Sequence, residues 1–376
     1  MAFVKKHKDL DSHIENVYNF QDIWKNTCSK YYDDIVEEQP SILPKVDRII
    51  VLGDIHGDWD MMHQALKLAK VVDEKGNWNG GKTVVVQVGD QIDRCRYSYG
   101  GPTCDKKEAT EYDEKSDWKI LQYFTKLHNQ AAKDGGAVYS LLGNHELMNV
   151  DQDFRYVSYQ GLREFDNFKH KKLDPEIQDG EMARRWAFKP GNPISEFLAC
   201  TRQAALIIGS NLFVHAGIIP KLAKKYGVNN INKIMSLYLL NKIKTTSQYR
   251  DLFNQSNSPL WTRVYGNIGM DKYSRFTPQF NEKSVQDKCD SLMNPLQKIY
   301  KVDRMFVGHT PIFKGIGDIC DGRVWLTDYG LSKAFDKFDT ESTLVSSSQR
   351  KGPRSVQILE ILNDGETINI IKDKIE

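Results

Sequence analysis

Three apolar runs of β type, Arg48 to Leu52, Thr83 to Val88 and Ala137 to Leu142, each end in a glycine-led turn loaded with acid, amide or imidazole side chains. The turns read Gly53-Asp54-Ile55-His56-Gly57, Gly89-Asp90-Gln91-Ile92-Asp93-Arg94 and Gly143-Asn144-His145-Glu146. Two shorter motifs follow, Val214-His215-Ala216-Gly217 and Gly308-His309-Thr310. Strands that repeatedly deliver polar turns at their carboxyl ends constrain the fold to an α/β architecture, because that is the edge where such a sheet gathers a site. One such motif is weak evidence, whereas five in this order are strong.

Strands and helices alternate along the chain. The first motif runs into Trp59 to Val72, where Met62, Leu66 and Ala69 recur at helical spacing. After the second motif comes a charged insertion, Arg96 to Ser116, then a helix with Ile120, Leu121, Phe124 and Leu127 on one core-facing stripe, stopped by Asp134-Gly135-Gly136. Ala204 to Ile208 and Leu212 to Val214, joined by Gly209-Ser210-Asn211, read as a hairpin that delivers His215. Val356 to Leu362 and Thr367 to Ile371 flank Asn363-Asp364-Gly365, a second hairpin signal. Repeats, heptads and long linkers are absent. The reading is a polar, partly helical extension over residues 1–45 and a catalytic domain over 46–376, with insertions at about 96–118, 150–200 and 221–297.

The 376 residues, 40% of them hydrophobic, are enough to bury a large core. A formal net charge of +2 predicts no polyanion-binding surface, so nucleic acid is not the expected partner. Apolar stretches such as Ala204 to Ile208 are far too short to span a bilayer, and no signal peptide is visible. The six cysteines show no framework spacing, so unpaired thiols in a reducing cytoplasm are the simple reading; Cys95 and Cys104, which bracket a Gly-Gly-Pro loop, are the one local pair that could close.

The five motifs together supply Asp, His, Asp, Asn, His and His, a mixed oxygen and nitrogen set suited to two adjacent divalent metals. Asp90 is the natural bridge, since a carboxylate has two oxygens to share. Asp54 and His56, two apart on an extended loop, can chelate one ion, and Asn144, His215 and His309 complete the other. Such sets favour Mn, Fe or Zn over Ca. Two metals so placed activate water for in-line attack on phosphorus. Arg94 is then a phosphate anchor, and His145, oriented by Asp93, is the proton donor to the leaving oxygen.

The motifs resemble the metallophosphoesterase superfamily, within it the phosphoprotein phosphatases, and most narrowly the Shewanella-like branch. Gly143-Asn144-His145-Glu146-Leu147-Met148-Asn149, Asp153-Phe154-Arg155-Tyr156-Val157, Trp261-Thr262-Arg263, Val307-Gly308-His309-Thr310 and Cys320-Asp321-Gly322-Arg323 carry the likeness, which runs from about residue 48 to about 335. The resemblance implies an α/β sandwich of two mixed sheets flanked by helices, two divalent metals, and hydrolysis of phosphomonoesters on protein side chains without a phosphoenzyme. It adds Arg263 to Arg94 as a phosphate clamp and gives Asp328 a supporting role behind the metals. It brings phosphotyrosine into range beside phosphoserine and phosphothreonine, which the residues themselves do not rank. Three departures stand out: Cys95 where the family has Gly, Ala216 where it has Gly, and the long insertion after Arg96.

Other basic residues read more plainly. Arg184 and Arg185 look like a solvated charged surface, and Arg155 is balanced between surface and substrate-facing roles. The rival readings are a diadenosine-polyphosphate or cap-type pyrophosphohydrolase, against which Glu146 and Met148-Asn149 argue, and a metal-stabilised binding scaffold, which has no need of an acid dyad.

Overall fold

A computed structural model describes residues 2–33, 38–96, 100–171, 176–244, 249–268, 282–312, 315–336 and 355–373. Among the described residues, twelve strands form two mixed six-stranded sheets. The strands are β1 (Ile42–Leu43), β2 (Arg48–Leu52), β3 (Val84–Gln87), β4 (Ala137–Leu141), β5 (Arg202–Gln203), β6 (Ala205–Ile208), β7 (Asn211–Val214), β8 (Arg304–Val307), β9 (Gly317–Ile319), β10 (Val324–Leu326), β11 (Gln357–Leu362) and β12 (Thr367–Lys372). One sheet runs β1-β6-β7-β8-β10-β9 and the other β12-β11-β2-β3-β4-β5. The expected sandwich of two mixed sheets is what the chain forms.

The packing follows the two-residue period of the strands. Leu206, Ile208, Phe213 and Phe306 of the first sheet share a buried cluster with Ile50, Val51, Val85, Val86 and Val138 of the second. Their neighbours Ile207, Leu212, Val214, Met305 and Val307 belong to a second cluster with the helices on the outer face. Phe213 and Phe306 stack at 5.0 Å between ring centroids. The outer face of the second sheet is covered by the helices Trp59–Leu68 and Asp117–Lys133, whose stripe Ile120, Leu121, Phe124 and Leu127 is fully buried.

Both hairpins form where the turn residues placed them: β6 pairs antiparallel with β7, and β11 with β12. The N-terminal segment does not stand apart from the sheets. Its helices, Ala2–Tyr18 and Phe20–Cys28, bury Ile14, Phe20, Trp24 and Cys28, and β1 joins the first sheet beside β6.

The reading of the cysteines as unpaired is overturned. Cys28–Cys200, Cys95–Cys104 and Cys289–Cys320 are disulfides, and no cysteine is left free. Two of the pairs join cysteines 172 and 31 residues apart, so sequence spacing carries no trace of them. The inference of a reducing compartment loses its premise with the thiols. No helix among the described residues is long and apolar enough to cross a membrane.

Candidate active site

The motif loops converge because the strands that carry them are neighbours. β2, β3 and β4 are parallel and adjacent, so their carboxyl ends present Asp54, Asp90 and Asn144 in a row. Across the sandwich, parallel β7 and β8 present His215 and His309. The loops are stitched together through their backbones. Ile55 and His56 donate their N–H groups to the Asp90 carbonyl at 2.9 and 3.0 Å, and Gly308 donates to the His215 carbonyl at 2.8 Å. Glu146, fully buried, accepts from the N–H groups of Asp90 (3.0 Å), Gln91 (2.7 Å) and Gly143 (2.6 Å), fixing the second motif against the third.

The glycines of these motifs are forced by proximity. A Cβ on Gly143 would lie 2.1 Å from Asp90 Oδ1, and one on Gly308 would lie 2.1 Å from Asp54 Oδ1. Strain concentrates here as well. His56, Asp90, Asp93 and His309 all adopt positive φ, at 46°, 51°, 71° and 67°. Non-glycine residues hold that conformation only when the surroundings over-determine it.

Six buried side chains meet in this space: Asp54, His56, Asp90, Asn144, His215 and His309. Asp90 is at the centre. Its Oδ2 lies 3.9 Å from His56 Nε2, 3.8 Å from His145 Nε2 and 3.3 Å from His215 Nε2. Asp54 Oδ2 is 3.7 Å from His56 Nε2. Among the described residues, two groups have metal-ligand spacing, His56 with Asp90 and His145, and Asp90 with His215 and His309; Asp90 is common to both.

Each imidazole is oriented by a backbone carbonyl, the arrangement expected behind a metal ligand. His215 Nδ1 pairs with Val88 O at 2.9 Å, leaving Nε2 toward Asp90 and Asn144 Oδ1. His56 Nδ1 pairs with Ile92 O at 3.3 Å, and His309 Nε2 with Trp261 O at 3.0 Å. Burial and the nearby carboxylates Asp328 and Asp90 push Asp54 well up; for Asp90, burial is outweighed by the facing His215 and His145, which hold it well down. Burial, with the Arg96 and His145 charges, drives His56 well down, and burial with His215 and Arg263 does the same to His309. His56 and His309, held toward the neutral form beside closely spaced buried carboxylates, belong to a mixed donor set suited to cations.

His145 stands beside this cluster. Its Nδ1 is 2.8 Å from Asp93 Oδ2, so Nε2 is the nitrogen turned toward Asp90. Asn149, one turn along the Asn144–Val150 helix, donates to both Asp93 oxygens at 2.9 and 3.1 Å and to the His145 carbonyl at 3.0 Å.

The arginines near the site are placed differently from one another. Arg94 is 2% exposed, donating to Gly57 O at 2.8 Å and Glu114 Oε1 at 2.5 Å, with Asp58 Oδ2 at 3.4 Å. Its guanidinium braces the first motif loop instead of facing the metal ligands. Arg96, two residues on, faces them: its Nη2 lies 2.5 and 2.7 Å from the two ring nitrogens of His56, and the guanidinium packs over Phe335 and Tyr156. One residue, the disulfide-bonded Cys95, separates the two arginines, and their different destinations are not revealed by spacing alone. Arg263 donates to His309 O at 2.9 Å and Thr310 Oγ1 at 3.2 Å from the rim.

Asp328, after β10, accepts from Gly330 N at 3.0 Å behind Asp54. Arg155 lies on the surface, paired with Asp153 at 2.7 Å, and Arg185 pairs with Glu181 at 2.7 Å. Arg184 is not a surface residue: it is fully buried on the Gly180–Phe188 helix.

Comparison with known proteins agrees with this geometry. The calcineurin-like phosphoesterase family model matches residues 47–313. Shewanella-like protein phosphatase 2 of Arabidopsis thaliana is 30% identical over 77% of this chain and 72% of its own length. The chain belongs to the Shewanella-like branch of the calcineurin-like phosphoesterases. An uncharacterised protein of Acanthamoeba polyphaga mimivirus is 35% identical over 64% of this phosphatase and 95% of the viral chain. Among solved structures, the cold-active protein-tyrosine phosphatase of a psychrophilic Shewanella shares the fold at a TM-score of 0.58 with 20% identity, covering 89% of this phosphatase and 83% of that chain. The family and the donor set imply bound divalent metal, and a metal-dependent phosphatase is the class of enzyme they describe.

Proposed function

We propose that this enzyme is a dinuclear-metal phosphoprotein phosphatase. Asp54, His56 and Asp90 hold one divalent metal; Asp90, Asn144, His215 and His309 hold the other, with Mn, Fe or Zn as the fitting ions. The observation that carries the reading is the His145–Asp93 pair at 2.8 Å, opening through His145 Nε2 onto the cluster around Asp90. A metal-stabilised binding protein has no use for a buried, carboxylate-oriented imidazole at that position.

The metals, when bound, supply Lewis-acid activation of water and charge neutralisation at the phosphoryl group. The protein's own residues do the rest. Arg96 and Arg263, in place of the Arg94 and Arg263 pair expected from sequence, grip the phosphoryl oxygens. Asp93 keeps the proton on His145 Nδ1, so the protonated imidazole donates from Nε2. Water attacks phosphorus and its protons leave with the released phosphate, while the bond to the leaving oxygen breaks and that oxygen takes the Nε2 proton. The substrate is a phosphorylated side chain of a protein or peptide, a reading supported by the relatives named as protein phosphatases.

The test is metal analysis coupled to a substrate panel. Mn-loaded enzyme is expected to hydrolyse phosphoserine, phosphothreonine and phosphotyrosine peptides and to leave dinucleoside polyphosphates intact. Turnover of dinucleoside polyphosphates with none of the peptides overturns the reading in favour of a pyrophosphohydrolase.

A further inference from the structure

Arg184 is a cation placed where solvent cannot reach it, and its hydrogen bonds account for the placement. Nε donates to Asn149 Oδ1 at 2.8 Å, Nη1 to Gly161 O at 3.1 Å, and Nη2 to Asp117 Oδ2 at 2.8 Å and Asp93 Oδ1 at 3.4 Å. The faces of Phe165 and Phe188 close over the guanidinium, at 5.5 and 4.9 Å. Burying a charge is costly unless it is paired and hydrogen-bonded, and Arg184 meets that condition through Asp93, Asp117 and Asn149.

These are the groups that fix the acid dyad. Asp93 has two oxygens with separate duties: Oδ2 takes His145 Nδ1, and Oδ1 faces Arg184. Asn149 donates to Asp93 only with its amide turned the right way, and Arg184 Nε on Asn149 Oδ1 sets that turn. Asp117 accepts from the Asp93 N–H at 3.2 Å through one oxygen and from Arg184 through the other, so the Asp93 backbone is gripped by the same cation. Three routes therefore run from one guanidinium to Asp93, two to its carboxylate and one to its backbone.

We propose that Arg184 is the positioning residue of the general acid: it holds Asp93 so that His145 Nε2 points at the leaving oxygen. This rests on the phosphatase reading above. A positioning role predicts a loss that depends on the leaving group. A phosphoserine alkoxide leaves only with a proton, whereas p-nitrophenolate leaves without one. Arg184→Met is expected to lower kcat for a phosphoserine peptide by about 30-fold or more, within the range general acid catalysis supplies. With p-nitrophenyl phosphate, kcat is expected to change by less than about threefold, with KM, inhibition by inorganic phosphate and metal content unchanged. Should Arg184→Met fail to fold, the pair Arg184→Met with Asp117→Asn removes one buried charge of each sign, and the same split between substrates is expected of it. Equal losses on both substrates, or no loss on either, in folded enzyme overturn the proposal while leaving the phosphatase reading intact. A wild-type enzyme that hydrolyses neither substrate overturns that reading and this inference with it.

Discussion

Replacing His145 with Gln removes the ring that Asp93 orients at 2.8 Å while leaving Asp90, His215 and His309 in place. A fall in kcat for phosphoserine peptide of about 10²–10⁴-fold with unchanged metal content is expected. Loss of a metal ion, read by elemental analysis, would instead make His145 a ligand, as its spacing to His56 and Asp90 permits. At this scale the convergence of Asp54, His56, Asp90, Asn144, His215 and His309 was legible because each follows a strand end on the same edge of the sandwich. The arginines were not legible. Arg94 and Arg96 are two residues apart, yet one packs into the first motif loop and the other reaches His56, a divergence their spacing does not encode. Arg184 reaches Asp93 from a helix 91 residues away, a contact no local pattern encodes.

Among the elements, both hairpins and the Asp117–Lys133 helix follow from turn residues and apolar spacing, and these were the parts read most directly. The attachment of the N-terminal helices was not, because it rests on long-range contacts of Ile14, Phe20 and Trp24 and on a disulfide spanning 172 residues. Exchanging Cys28 and Cys200 together for Ser is expected to reduce unfolding free energy by about 2–4 kcal/mol, measured by denaturant titration. Glu38 adds a pH signature to the same region. Burial, with Glu15 and Asp11 nearby, lifts its carboxyl from 4.5 to about 7 despite Lys233. The native state keeps a proton there that the unfolded chain has released, so its contribution favours folding least once the pH passes 7. Stability should fall as pH rises from about 4.5 to about 7, and Glu38→Gln should flatten that slope by at most about 2 kcal/mol, read from melting curves across the interval.

Over the whole molecule, the site is the seam between two sheets, and it gathers buried carboxylates that repel one another: Asp54, Asp90 and Asp328. Chelation is expected to lower the melting temperature by about 5 °C or more, and excess Mn to restore it. An unchanged melting curve after verified metal removal would separate the metals from the stability of the fold. The α/β class was legible in the alternating strands and helices with strand-end motifs, and the two-sheet sandwich in the family resemblance those motifs carry. The layout of the second sheet has a kinetic consequence. β2, which feeds Asp54 into the site, has β3 on one side and β11 on the other, with Val51 opposite Leu359. Until the ribosome has released that late segment, β2 is an open sheet edge, and the nascent chain carries an aggregation-prone surface and a half-built centre together. Closure of the β2 edge therefore waits on β11, which is made more than 300 residues after the strand it covers.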